Sequence, residues 1–386
     1  MFDQAKQLDR LGRLSHFISG PPAHFAIKHG ISPDKVVSLW PSFALGYMSN
    51  KLSPVLPASF EQRLIRLSHD HFSRHLARMI PSDTDIFIGL SSFCEEAVEA
   101  SNELGITTIV DHGSLHEAFE KKQMLMEQDL FGYKVTGNAA HDWLIDKQDR
   151  EFASAKYVFA LSGLARKTLI DHGVNAEKIM INRCGVNLEK FKQKPKKDKV
   201  FRIVFCGNVI PRKGIHYLLE AFRGLRMAQA ELWVIGALGG VKEDGHFNKL
   251  LRSFQKPNIK FFGAVDSNYL ADLFSQCSVF VLPSLSDGFG MVVTQAMACG
   301  LPVIVSDHTG AADIVVEGEN GFVVPTRDVN ALIERLSALA SKPHLANEIG
   351  QVAKQSVKSG LTWDNYGERL NDLLGAIFLN SRNKKS

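Results

Sequence analysis

No apolar run in this chain approaches the roughly 18–20 residues that span a bilayer. Its first residues, MFDQAKQLDRLGRL, are charged throughout and lack the apolar stretch of a secretory signal. A cytoplasmic protein is expected, with room for peripheral contact at an inner membrane face. Cysteine is sparse: the five residues are Cys94, Cys184, Cys206, Cys277 and Cys299, and no two form a CxxC pair. That argues against a zinc ribbon or a disulfide framework and for buried, reduced thiols. No His/Cys cluster has metal-ligand spacing. Asp83-Thr84-Asp85 precedes a strand and reads as a turn rather than a metal signature. Gly236-Ala237-Leu238-Gly239-Gly240 lacks the GxGxxG form and reads as a flexible loop. The Ser-x-x-Gly fragments are not nucleophile elbows. An excess of one charge is also missing, since the net charge is +4. The basic runs Lys194–Lys199 and Arg382–Lys385 have no stacking motif beside them, so nucleic acid is not an expected partner.

What remains is an ordinary globular composition, 45% hydrophobic and 22% charged over 386 residues, long enough for two cores. Short apolar strands alternate with amphipathic helices, which predicts α/β domains with largely parallel sheets. In the first half the predicted strands are Asp85–Leu90, Ile106–Val110 and Tyr157–Leu161. The predicted helices are Phe60–Ile80, Phe93–Leu104, His116–Leu130 and Gly163–His172. The charged, proline-containing segment Gln193–Lys199 reads as an inter-domain linker. In the second half the predicted strands are Arg202–Cys206, Glu231–Ile235, Ile259–Phe262, Val279–Leu282, Pro302–Val305 and Gly321–Val324. Helices fall between them, including Ile215–Leu225, Tyr269–Gln276 and Val329–Ser341. A terminal helix is placed at Trp363–Phe378.

Two glycine loops carry the chemistry. Asp287-Gly288-Phe289-Gly290 follows a strand and opens a helix, Met291–Cys299. Free N–H groups and the positive dipole end collect at such a start, which suits an anion. Gly207-Asn208-Val209-Ile210-Pro211-Arg212-Lys213-Gly214 follows the strand Arg202–Cys206. Gly207 permits close backbone approach. Arg212 offers a bidentate phosphate contact and Lys213 a point charge. Read singly, such a pair is a solvated helix start, Asp287 is a turn aspartate and Gln295 is a surface glutamine.

Together these loops resemble the donor-binding signature of family-4 retaining glycosyltransferases of the GT-B fold (glycosyl transferases group 1). Those proteins usually carry Glu, seven residues, then Glu; Asp287 and Gln295 stand in those places here. The resemblance implies two Rossmann-like domains facing across a cleft. They are drawn as residues 1–196 on the acceptor side and 197–362 on the donor side, with 363–386 returning to the first domain. It implies metal-independent, retaining transfer of a sugar from a nucleoside-diphosphate sugar to an acceptor hydroxyl, with no cofactor. The acceptor is a glycan, a lipid-linked molecule or a small molecule. No enzymatic nucleophile is evident, so a front-face route is expected, in which the leaving phosphate helps to deprotonate the acceptor. Arg212, Lys213 and the amides Gly288–Met291 would hold the diphosphate near Gly207 and Asn208. Asp287 would orient the sugar and Gln295 the ribose.

Asp111-His112-Gly113-Ser114-Leu115-His116 resembles a Gly-Ser-x-His segment whose histidine reaches the donor sugar, which gives His116 a catalytic role. A lone histidine at a helix start is otherwise a cap. Gly185-Val186-Asn187, Asp313, Glu317–Gly321 and Thr362–Tyr366 match landmarks of the fold. Members usually begin with a strand and a glycine-rich turn, whereas here the helix Phe2–Leu14 comes first and the strand His16–Ser19 follows. A gap or a shortened first sheet is expected. Two alternatives stay open: a catalytically silent GT-B protein that binds a nucleotide or a partner, and a nucleotide-sugar epimerase.

Overall fold

The computed structural model describes residues 1–40, 43–44, 46–48, 58–132, 142–227, 229–238, 245–254 and 256–383. The last part of the Gly236–Gly240 loop and the basic end of the Arg382–Lys385 run lie outside them.

The C-terminal domain is built on six parallel strands: β7 (Arg202–Cys206), β8 (Glu231–Ile235), β9 (Ile259–Gly263), β10 (Val279–Leu282), β11 (Val303–Ser306) and β12 (Gly321–Val324). Their order is β12-β11-β10-β7-β8-β9. β7 lies at the centre and pairs on both edges, with β8 and β10. Its residues Ile203, Val204 and Phe205 are fully buried. Such continuous apolar runs are what a two-sided parallel sheet requires. β11 starts one residue later than the sequence predicts, because Pro302 has no N–H for the ladder. The Pro302 carbonyl still accepts from Phe280 N at 3.0 Å.

The N-terminal domain repeats this grammar with an interruption. β3 (Ile86–Leu90), β4 (Thr107–His112), β5 (Tyr157–Ala160) and β6 (Ile179–Ile181) form one parallel sheet, in that order. β1 (Phe17–Ser19) and β2 (Val36–Ser38) form a separate parallel pair. Among the described residues β1 pairs only with β2 and β3 only with β4. Yet the two pieces share their packing. Ile18 joins the cluster that contains Phe87 on one side. Leu14 joins the clusters of Phe17 and of Ile86 and Ile88 on the other. The sheet is thus split beside β3, which is the gap expected from the order of the first elements.

The helices in chain order are α1 (Phe2–Arg10), α2 (Ala23–Lys28), α3 (Ala58–Ala77), α4 (Glu95–Glu103), α5 (Glu117–Phe131), α6 (Asp142–Ser154) and α7 (Gly163–Asp171) in the first half. The second half adds α8 (Ile215–Gly224), α9 (Gly245–Ser253), α10 (Leu270–Ser275), α11 (Met291–Ala298), α12 (Val329–Ser341), α13 (Pro343–Gly360) and α14 (Trp363–Asn383). α1 ends at Arg10 rather than Leu14. Gly12 is left-handed (φ 65°), and the N–H groups of Gly12 and Arg13 return to Asp9 O and Leu8 O at 3.0 and 2.8 Å. α4 starts at Glu95 rather than Phe93, because Ser92 is itself left-handed (φ 77°). The buried Glu151 accepts from Ser92 N at 2.6 Å and Cys94 N at 2.9 Å and so caps that helix.

The chain crosses between domains at two adjoining places. Val186 N donates to Leu361 O at 2.8 Å, and Val186 pairs with Thr362. Arg369 of α14 donates to the carbonyls of Gly360 and Arg183, both at 2.8 Å. Gly185 faces the Trp363 backbone, where an added Cβ would stand 2.5 Å from its nitrogen. Val186 and Phe191 already belong to the C-terminal core. The run Gln193–Lys199 lies along that domain, with Lys194 N donating to Ser275 Oγ and Lys197 N to Gln276 Oε1, both at 2.9 Å.

Candidate functional site

The strand order of the C-terminal sheet reverses between β7 and β10. Ligands of open α/β sheets bind beyond the carboxyl ends of strands at such a point. Both glycine loops leave there. After β7, Gly207 (φ 152°) is extended backbone beyond the usual range for other residues, and Asn208 is exposed. A short 3₁₀ turn, Pro211–Lys213, ends at Gly214 with φ 66°. A Cβ at Gly214 would lie 1.8 Å from the Pro283 carbonyl, so the two loops touch backbone to backbone. Leu285 N donates to Arg212 O at 2.8 Å, and Arg212 Nη1 to Ser286 O at 2.7 Å.

After β10, Asp287 bridges to Thr309, its N–H donating to His308 O at 3.0 Å. Its carboxylate takes a bond of 2.5 Å from Lys213 Nζ. Gly290 (φ 81°) is the left-handed residue from which α11 starts. Among the described residues, the amides of Gly288, Phe289, Gly290 and Met291 have no acceptor within the chain. The first three belong to buried residues. Free amides gathered at a helix start suit an anionic acceptor. Phe289 is 1% exposed and offers its backbone only. Gln295 lies just over one turn along α11, half-buried, with no side-chain bond among the described residues.

The N-terminal domain closes onto these loops. An added Cβ at Gly288 would lie 2.6 Å from Ser114 Cα. Ser162 Oγ donates to Gly288 O at 2.8 Å. Gly163 N donates to Asp313 Oδ2 at 2.5 Å, and Arg183 pairs with Asp313 at 3.2 Å. Along α5, Glu120 faces Arg212 at 3.4 Å and accepts from Ser286 Oγ at 3.3 Å. Further along, Glu127 is buried between His216 (2.9 Å), Tyr217 (3.1 Å) and Arg327 (2.5 Å). Arg327 also donates to Gln123 Oε1 at 2.9 Å, from a left-handed backbone of φ 71°. Burial works to raise the Glu127 carboxyl, but bonds from His216 and Arg327 outweigh it and hold it below the usual range.

His116 requires a correction. It is the N-cap of α5, fully buried, with Nδ1 accepting from Ala118 N at 3.2 Å and Nε2 bonded to Asp149 at 2.9 Å. Its ring stacks on His172 at 4.2 Å. Both nitrogens are used inside the N-terminal domain, so no ring atom is left for a sugar across the cleft. His112 is held in the same way, by Ser91 Oγ at 2.9 Å and Leu115 O at 3.1 Å, and burial lowers it to about 4. What this segment brings to the cleft is the backbone of Gly113 and Ser114. The sequence reading also missed Glu117 and Glu120, the acidic first turn of α5. Burial, with Glu120 next to it, raises Glu117 to about 7. Burial raises Glu120 too, against the pull of Arg212. Their spacing at the start of a helix was the available signal.

Residues 186–356 match the family described as Glycosyl transferases group 1. The chain is 28% identical over 240 residues to the capsular polysaccharide biosynthesis glycosyltransferase CapM of Staphylococcus aureus, covering 60% of this chain and 62% of CapM. It is 26% identical over 257 residues to D-inositol 3-phosphate glycosyltransferase 2 of Catenulispora acidiphila, covering 60% and 59%. The match thus spans about three fifths of the length of these relatives. Among solved structures, HepE of Anabaena in complex with UDP and glucose superposes with a TM-score of 0.68 at 16% identity, over 97% of this chain and 94% of HepE. That likeness establishes the GT-B architecture. Among the described residues no helix is long and apolar enough to cross a membrane.

Proposed function

We propose that this chain, whose residues 186–356 carry the group 1 glycosyltransferase module, moves a sugar from a nucleoside-diphosphate sugar to an acceptor hydroxyl in glycoconjugate synthesis. One observation carries the reading. Where the strand order reverses, two cations, an aspartate and four unpaired amides converge from two loops. The amides of Gly288–Met291, with Arg212 and Lys213, take the diphosphate. Asp287 takes sugar hydroxyls, and Gln295 takes the ribose without adding charge. Gly207 and Asn208 line the opposite loop. As the bond to the sugar breaks, negative charge grows on the departing phosphate, and Arg212 and Lys213 are positioned to stabilise it. We read the transfer as retaining and metal-independent, by a protein working at the inner face of a membrane or in the cytoplasm. CapM, named for capsular polysaccharide biosynthesis, supports a role in polysaccharide synthesis.

Calorimetry with UDP-, GDP- and ADP-sugars, with and without magnesium, tests the donor site. Saturable binding of one donor, unchanged by chelator, is the expected result. Arg212→Ala should then cost about 2–3 kcal/mol in kcat/KM, by analogy with removing an oxyanion donor. Near-normal turnover of that variant would refute its role. Nucleotide binding without acceptor-dependent turnover would mark a silent relative, and release of a free epimerised sugar would mark an epimerase.

A further inference from the structure

Glu120 stands across the cleft from both donor loops and takes no part in the transfer described above. It lies in the first turn of α5 and is 8% exposed. One carboxylate oxygen lies 3.4 Å from Arg212 Nε, and the other accepts from Ser286 Oγ at 3.3 Å. Both contacts are longer than the roughly 2.7–2.9 Å of a well-formed charge-assisted bond. A desolvated carboxylate held this loosely recovers little of its lost hydration. It is a poor structural ion pair and an easily displaced one. Arg212 has committed Nη1 to the Ser286 carbonyl, so the Nε edge is the one presented to Glu120.

The charge count points the same way. Arg212 and Lys213 bring two positive charges, and Glu120 and Asp287 bring two negative ones. Glu117, one turn back on α5, is a further titratable group beside them. A diphosphate would add at least two negative charges to a cluster that is already balanced. The helix-start amides meet part of that charge, and release or protonation of one carboxylate offsets more of it. Asp287 is held by Lys213 at 2.5 Å. Glu120 is held least.

We propose that Glu120 is an internal stand-in for the donor's diphosphate: it holds Arg212 across the cleft in the donor-free chain, and the diphosphate displaces it with uptake of a proton. This rests on Arg212 being a diphosphate ligand, as argued above. Glu120 is therefore a positioning residue. It keeps the cation aimed at the phosphate position and ties the closed arrangement of the domains to the charge at the site.

The test is calorimetric titration of the full chain with UDP, GDP and ADP at pH 6 and pH 8, each in two buffers of different ionisation heat. The wild-type chain should bind one of them more tightly at pH 6, with proton uptake visible as a buffer-dependent heat. Glu120→Gln should bind the same nucleotide at least about tenfold more tightly at pH 8, with the uptake lost. Glu120→Asp, which keeps the charge but falls short of Arg212, should gain part of that affinity if the 3.4 Å contact is what the nucleotide must break. Glu117→Gln separates the contribution of its neighbour and should leave most of the uptake in place. Unchanged or weaker binding by a folded Glu120→Gln protein, with uptake intact, would overturn the stand-in. If Arg212→Ala then abolishes binding, the diphosphate reading survives without it. If no nucleotide binds either protein, both fall.

Discussion

The two sheets of this molecule are written in the same strand–helix grammar, but among the described residues one is continuous and the other is split between β1 and β3. β7 pairs on both edges and buries Ile203, Val204 and Phe205 completely. In the N-terminal domain β1 and β3 share the packing on both faces without hydrogen bonding to each other, and Leu90 at the end of β3 is 37% exposed. The donor loops spring from the unbroken sheet. The split sheet supplies the surface that closes over them. The difference teaches that precision is concentrated where charge must be met, and that the covering half tolerates an incomplete framework.

The comparison breaks most sharply at the glycines. Gly214→Ala places a Cβ 1.8 Å from the Pro283 carbonyl in a left-handed position. A loss on the order of 3 kcal/mol or more is expected in urea unfolding. Gly113→Ala on the covering side meets nothing within 4 Å and should change stability by less than about 0.5 kcal/mol. Equal losses would mean that the two sides are equally tight.

Core truncation sharpens the contrast. Ile203→Ala removes a fully buried side chain from the central strand and should cost about 3–4 kcal/mol. Ile88→Ala, in the partly buried β3, should cost about 1–2 kcal/mol by the same measurement. Hydrogen exchange reads the gap itself. Every second amide of Ile86–Leu90 points away from β4 and should exchange about 100-fold faster than the amides of β7. Uniform protection along β3 would show that its free edge is covered.

The smallest expected effect is in the response to acid. Burial lowers His69 and His112 to about 4 and raises Glu117 and Glu151 to about 7. The depressed histidines bind fewer protons in the folded state, so their share of stability falls as pH drops from about 6.5 towards 4. The raised carboxyls bind more protons when folded, so theirs rises as pH drops from about 7 towards 4.5. The two pairs act in opposite directions and partly offset one another between about 4.5 and 6.5. Glu151→Gln unbalances them. Relative to the wild-type chain, the variant's stability should fall by up to about 1.4 kcal/mol per unit of acidification in that window, by scanning calorimetry. Parallel profiles for the variant and the wild-type chain would show that Glu151 is not raised.

Much of the C-terminal sheet was legible. β7, β8, β10 and β12 coincide with their predicted spans because each is a continuous apolar run bounded by polar residues or glycine. The three-residue strands β2 and β6 are too short to leave a periodic trace. The two donor loops were legible from their glycines and their cations. The direction of an imidazole was not. The local sequence around His116 suits a cap and a ligand alike, and Asp149 and His172, distant along the chain, decide between them. Glu120 and Arg327 gain their meaning only from partners in the other domain, which no local pattern reports.

The two adjoining crossings of the chain, tied by Val186 to Leu361 and bridged by Arg369, form a fulcrum. Bodies joined at one tethered point can swing but cannot slide past one another. A swing about that joint would return the Gly113–Ser114 backbone to the same face of Gly288. On that geometry the joint would set the alignment of the site, and the contacts within the cleft its persistence.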